Sequence, residues 1–246
     1  MTTQNLLVEL LVEELPPKAL WNLGQAFANV LYASLSDQWL IDMPATIAED
    51  LSQADPPARD VFASPRRLGV LIRAVKSQAP DMAHRVKLMP VSVGLDASGS
   101  ATPALLKKLQ ALGADASAVA GLKRAMDGKA EALFYDSTAK GATLAEGLQK
   151  ALLEAIAKLP IPKVMTYQLA DGWSDVKFVR PAHGLVALHG GDVVAVEALG
   201  LKAGNSTQGH RFEAAVDPVV FKDADSYAAT RKKDGAVIAS FAERKA

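Results

Sequence analysis

Cysteine is absent from the 246 residues. That excludes disulfide staples, thiolate nucleophiles and cysteine-ligated zinc. Excess charge is absent too: 27 basic residues balance 27 acidic ones. No global field draws nucleic acid, so any such contact must come from a local patch. No apolar run approaches the roughly 20 residues that a membrane span needs. The opening stretch MTTQNLLVELLVEELPP has no basic lead and is interrupted by Glu9, Glu13 and Glu14, which is not the pattern of a signal peptide. The common catalytic signatures are missing as well: G-x-x-x-x-G-K-[ST], G-x-G-x-x-G, H-E-x-x-H and G-x-S-x-G. These absences predict a soluble chain, suited to a reducing cytoplasm, and count against a self-contained nucleotide enzyme.

What is present is ample apolar material. Half of the residues are hydrophobic, enough for a sizeable core in a chain of this length. Residues 6–12 are aliphatic and predict a strand. Pro16 and Pro17 suit the first turn of a helix, and Leu20, Leu23, Phe27, Val30 and Leu31 continue at helical spacing to about Ser36. Residues 42–58, with Pro44, Pro56 and Pro57, read as a connector. Residues 61–63 and 68–75 predict two strands joined at Ser64-Pro65-Arg66-Arg67. Residues 93–104 look loop-like, and 104–112 a short helix. Residues 122–126 and 132–135 flank Asp127-Gly128, a hairpin signal. Thr143 and Glu146 match a capping box, with Leu144, Leu148, Leu152 and Ile156 as one stripe ending before Pro160. Residues 176–179, 184–189 and 193–199 predict strands, the last two joined by Gly190-Gly191, and from Asp223 onward the chain is helical and charged. Strands and helices mix without a βαβ rhythm, so the expected class is α+β, a mixed or antiparallel sheet with packed helices.

Several short stretches carry unusual chemistry. SPRRLG places Arg66 and Arg67 at a turn, where adjacent side chains diverge: one can face solvent or a phosphate while the other packs. GHRF, residues 209–212, sets His210, Arg211 and an aromatic in succession, a combination that binds phosphate or stacks on a base. In AKLPIPKVMTY two prolines stiffen an extended segment around Lys163, which suits a docking surface or a connector packed on its own core. FVRPAHGLVAL puts Arg180, Pro181 and His183 inside an apolar run, and Pro181 marks a break between two strands. His183 and His189 share a strand face but lie too far apart to chelate one ion directly, so no metal ligands are assigned.

VEELPPKAL, SPRRL, KLPIPKVM, FVRPAHGLVAL and GHRF, in this order, resemble the N-terminal part of the bacterial glycyl-tRNA synthetase beta subunit. The resemblance runs from about Leu6 to the end. It departs at Leu11-Val12, where the family usually has Gly-Thr, at Leu88-Met89-Pro90, where it has Arg-Gly-Pro, and over 93–142, which matches poorly. The resemblance implies an α2β2 enzyme whose alpha subunit carries the class II active site for glycine and for ATP with magnesium, while the beta subunit mainly holds tRNA(Gly). It implies that this chain is a piece of a longer one: an α+β module over 1–220, and the start of a following helical region over 221–246. It further implies a fold similar to the editing-type domain of the phenylalanyl enzyme's beta subunit.

On that footing the chain is expected to be non-catalytic, with no cofactor of its own. Its RNA- or partner-binding candidates are Arg66, Arg67, Lys163, Arg180, His183, His210 and Arg211. Two other readings stand beside this one. In the first, a hydrolase clears mischarged tRNA with His183 or His210 as base, oriented by Asp175 or Glu213. In the second, the module is purely structural and Arg180 pairs with an internal carboxylate.

Overall fold

The computed structural model describes residues 2–42, 58–96, 98–127 and 130–245. The chain divides into two compact units, one formed by Met1–Ala79 with Ala142–Ala246 and the other by Pro80–Gly141. The expected boundary between 1–220 and 221–246 does not coincide with this division, because residues 221–246 help to build the core of the first unit.

In the larger unit the chain opens with β1 (Thr3–Val12) and α1 (Leu20–Asp37). Pro16 and Pro17 lie in a preceding turn, closed by Ala19 N donating to Pro16 O at 3.0 Å, rather than in the helix itself. The connector predicted over 42–58 falls almost wholly outside the described residues. The hairpin β2 (Arg59–Ser64) and β3 (Arg67–Lys76) turns on Pro65-Arg66 alone, with Ser64 opposite Arg67.

The smaller unit is a three-stranded antiparallel sheet in the order β4-β6-β5, from β4 (Met82–Pro90), β5 (Lys123–Asp127) and β6 (Ala130–Ala139). Two helices, α2 (Val91–Gly94) and α3 (Pro103–Ala111), stand between its strands in the chain. Thr102 caps α3 by accepting from Leu105 N. Leu88, Leu105, Leu109 and Leu133 form the core of this unit. The loop expected over 93–104 begins as the end of α2, and Gly128 of the predicted hairpin turn lies outside the described residues. On the sheet, Asp136 is bracketed by Arg85 at 2.6 Å and Lys123 at 2.9 Å.

The chain then re-enters the larger unit with α4 (Leu144–Ala157), whose capping box is formed as expected by Thr143 and Glu146. A hairpin follows, β7 (Met165–Gln168) with β8 (Asp175–Phe178), where only the second strand was expected. Next come β9 (Ala182–His189) and β10 (Asp192–Val193), joined at Gly190-Gly191. The strand predicted over 193–199 is broken. Its end is β11 (Glu197–Ala198), which pairs with β12 (Leu201–Lys202) because Leu199 and Gly200 turn the chain at positive φ. β13 (Ser206–Thr207) pairs with β14 (Val219–Val220), and two short helices close the chain, α5 (Tyr227–Lys233) and α6 (Phe241–Lys245).

The main sheet is antiparallel, in the order β10-β9-β1-β3-β2. β1 is its centre, which explains why its aliphatic run is continuous rather than alternating: both faces are covered. Leu6, Val8 and Leu10 pack with Leu23, Phe27 and Leu31 of α1 and Leu148 and Leu152 of α4. Leu7, on the opposite face, packs with Phe62, Phe221 and Tyr227. Each such side chain contributes roughly 1.5–3 kcal/mol on burial. The fold is α+β.

Candidate anion-binding cleft

β1 leaves the sheet at Val12, and the next three residues cross two turns. Val12 N donates to Arg66 O (2.8 Å), Leu15 N to Pro65 O (2.6 Å) and Glu13 N to Pro181 O (3.0 Å). These backbone bonds bring the β2–β3 turn beside the break between β8 and β9. Residues 209–212 supply a further wall. Gly209 is required there by close approach, since an added Cβ would overlap the Ala214 Cβ and come within 3.2 Å of the Gly235 Cα. Together these segments enclose a cleft of about 520 Å³.

Four of the seven residues singled out from sequence, Arg66, Arg180, His210 and Arg211, line this cleft with partly or fully exposed side chains. Arg66 is half-buried and faces Glu13 at 3.7 Å. Arg180 is exposed and donates through Nε to the Glu14 carbonyl at 3.3 Å. That corrects the structural reading in which Arg180 pairs with an internal carboxylate; it sits at a strand end, where its head reaches a backbone oxygen. His210 accepts at Nδ1 from Phe212 N (3.4 Å), and its ring meets that of Phe212 edge-on at 6.3 Å. His183 stands beside the cleft, with Nε2 2.8 Å from Glu13 Oε1. The hydrolase reading gave the orienting role to Asp175 or Glu213, whereas the carboxylate at His183 is Glu13. Lys163 is exposed two residues before β7 and does not line the cleft.

Arg67 needs a second correction. It was expected to be an exposed contact, yet it is buried beneath the cleft. Its Nη2 donates to the carbonyls of Gln208 and Gly209, and its Nε lies 3.8 Å from Glu9 Oε2. Glu9 is fully buried on β1 and is the centre of a polar cluster. Thr207 donates to its Oε1, while the Tyr227 hydroxyl and Arg231 Nη1 (3.3 Å) donate to its Oε2. Arg231 is also fully buried and reaches the Gln208 carbonyl at 3.4 Å. Burial pulls the Arg67 guanidinium down to about 10, although Glu9 opposes this. Burial, reinforced by Glu9, holds the Tyr227 hydroxyl well above its ordinary value, so it stays a donor.

The cluster places two buried guanidiniums against one buried carboxylate, and two nitrogens of Arg231, Nε and Nη2, meet no acceptor among the described residues. Both arginines hold the strand leading into residues 209–212. Sequence reasoning missed Glu9, Tyr227 and Arg231. A visible signal existed for Glu9, because a carboxylate inside LLVELLV is tolerated only with buried partners.

At the cleft itself three partly or fully exposed guanidiniums, those of Arg66, Arg180 and Arg211, and a histidine face two carboxylates, Glu13 and Glu14, on a chain whose charges cancel overall. The described lining residues include no serine, threonine or cysteine to act as a nucleophile. Fold and cleft define an α+β module with a candidate anion-binding cleft. The chain belongs to the glycyl-tRNA synthetase beta subunit family, whose model matches residues 6–246. The match runs through 93–142, where the motif-based resemblance is poor. The chain is 66% identical over 98% of its length to the glycine–tRNA ligase beta subunit of Methylobacillus flagellatus. It is 65% and 63% identical over its whole length to those of Polaromonas naphthalenivorans and Thiobacillus denitrificans. It spans about a third of the length of each of these relatives. No described helix is long and apolar enough to cross a membrane.

Proposed function

We propose that the chain is an N-terminal portion of the beta subunit of a glycine–tRNA ligase and that its cleft contacts the phosphate backbone of tRNA(Gly). The observation that supports this reading is the gathering of Arg66, Arg180, His210 and Arg211 in one cleft of a chain without net charge. Guanidinium groups bind phosphate oxygens by paired hydrogen bonds, and each contact releases counterions. The module contributes binding; the ATP- and magnesium-dependent attachment of glycine belongs to an alpha subunit, in a cytoplasmic α2β2 assembly. The same proposal includes a likeness to the editing-type domain of the phenylalanyl enzyme's beta subunit, supported by an antiparallel sheet packed by helices.

The test replaces Arg180 and Arg211 by alanine, singly and together, in the complete α2β2 enzyme. Each single variant weakens tRNA(Gly) binding and lowers the slope of log affinity against log salt by about one unit, and the double variant by about two. Unchanged affinity and slope in the double variant overturn the RNA contact.

A further inference from the structure

Phe212 is the feature that backbone contacts alone leave unexplained. It is 82% exposed, although it sits in a structured segment. Its position is fixed: His210 N donates to Gly235 O (2.8 Å), Ala214 N to His210 O (3.1 Å) and Phe212 N to the His210 ring. The segment is also held from below, where Arg67 and Arg231 both donate to the Gln208 carbonyl. The backbone that carries this exposed aromatic is thus tied down, and beside Arg211 and His210 the ring offers a stacking surface next to a cationic cleft.

Two observations narrow the ligand. The cleft volume of about 520 Å³ is of the size that takes one nucleotide. Bases are read by stacking on aromatic rings or guanidinium planes only where they are splayed out of a helix. Every base has a π-face, so such a platform takes any of them. We infer that the cleft receives a single unstacked nucleotide, its base on Phe212 and its phosphate among Arg66, Arg180 and Arg211. This rests on the RNA-contact reading above and specifies the form of RNA the site takes: a single-stranded end, loop or bulge rather than a paired stem.

The experiment uses the complete beta chain and three probes: a single-stranded ribo-trinucleotide with 2-aminopurine at its centre, an RNA duplex of equal charge, and poly-glutamate. The variants are Phe212→Ala, Phe212→Trp and Arg180→Ala. The wild-type chain binds the trinucleotide more tightly than the duplex and quenches its fluorescence. Phe212→Ala weakens trinucleotide binding about tenfold and abolishes quenching, Phe212→Trp restores both, and duplex binding changes little. If Phe212→Ala leaves trinucleotide affinity and quenching unchanged while Arg180→Ala weakens both RNAs, the nucleotide pocket is refuted and the phosphate contact stands. If Arg180→Ala affects neither RNA, the phosphate contact itself fails. Displacement of the trinucleotide by poly-glutamate at equal charge shows a general anion site and overturns the nucleotide assignment.

Discussion

Glu9 gives the sharpest test of the energetics. In the variant Glu9→Gln the side chain keeps its volume and loses its charge. Both carboxylate oxygens are in use, Oε1 by Thr207 and Oε2 by Tyr227 and Arg231. The glutamine amide can still pair, its NH2 with the Thr207 hydroxyl and its oxygen with Tyr227 and Arg231, but the buried Arg67 and Arg231 lose their counter-charge. Removing one partner of a buried ion pair costs about 3–5 kcal/mol, a large share of the roughly 5–15 kcal/mol by which a domain is stable. In a unit of this size that lowers the melting temperature by about 6–20 °C. Arg231→Met should cost under about 1.5 kcal/mol, since it conserves volume and leaves Glu9 balanced by Arg67. Trp21, Trp39 and Trp173 all lie in the larger unit, so tryptophan fluorescence in urea reports the unfolding of the unit that holds Glu9. A cost below about 1 kcal/mol for Glu9→Gln, or an equal cost for Arg231→Met, would refute this account of the cluster.

Two further perturbations probe each unit. Gly24→Ala should gain up to about 1 kcal/mol of helix propensity, yet the new Cβ meets the Ala63 Cβ at 2.7 Å. That atom moves only with the β2 backbone, so a net loss of about 1–2 kcal/mol is expected by urea denaturation, with partial recovery in Gly24→Ala/Ala63→Gly. In the smaller unit, hydrogen bonds from Arg85 and then Lys123 hold the Asp136 carboxyl well below the usual carboxylate range. A depressed folded-state value means that its contribution is fully present above the ordinary carboxylate pKa of about 4 and fades as pH falls below that. Protection factors for amide exchange in β5 and β6, which correct for the slower intrinsic exchange at low pH, should therefore fall on acidification, and Asp136→Asn should flatten that dependence; equal acid sensitivity in the variant argues against this account of Asp136.

Where local pattern decides structure, the sequence is legible. β1, α1, the β2–β3 hairpin, α4 with its capping box, and the break at Pro181 all follow from spacing and from proline or cap chemistry. β4 shows a polar–apolar alternation only over Arg85–Leu88, too short a run to stand out between loop-like neighbours, and it was not foreseen. β7 was read as part of a stiff connector, since its pairing with β8 depends on a turn at Asp171-Gly172 rather than on its own residues. At the cleft, the exposed arginines and the GHRF aromatic were readable as unusual residues in turns. The burial of Arg67 was not readable, because its partners Glu9 and Gln208 lie on β1 and far along the chain. Such a cluster is set by strand order, and strand order is not a local property.

The backbone bonds of Val12, Glu13 and Leu15 to the two neighbouring turns have a consequence for how this surface can diversify. The frame of the cleft is main chain, and the groups that meet a ligand are side chains standing on it. Arg66 and Arg180 each add one side-chain bond to that frame, at the Val12 and Glu14 carbonyls, but the backbone bonds stay when these side chains are exchanged, so the charge offered to a ligand can change while most of the scaffold is kept. The buried cluster has no such freedom. Losing Glu9, the counter-charge shared by both buried arginines, shifts the frame, and with it every site the frame supports.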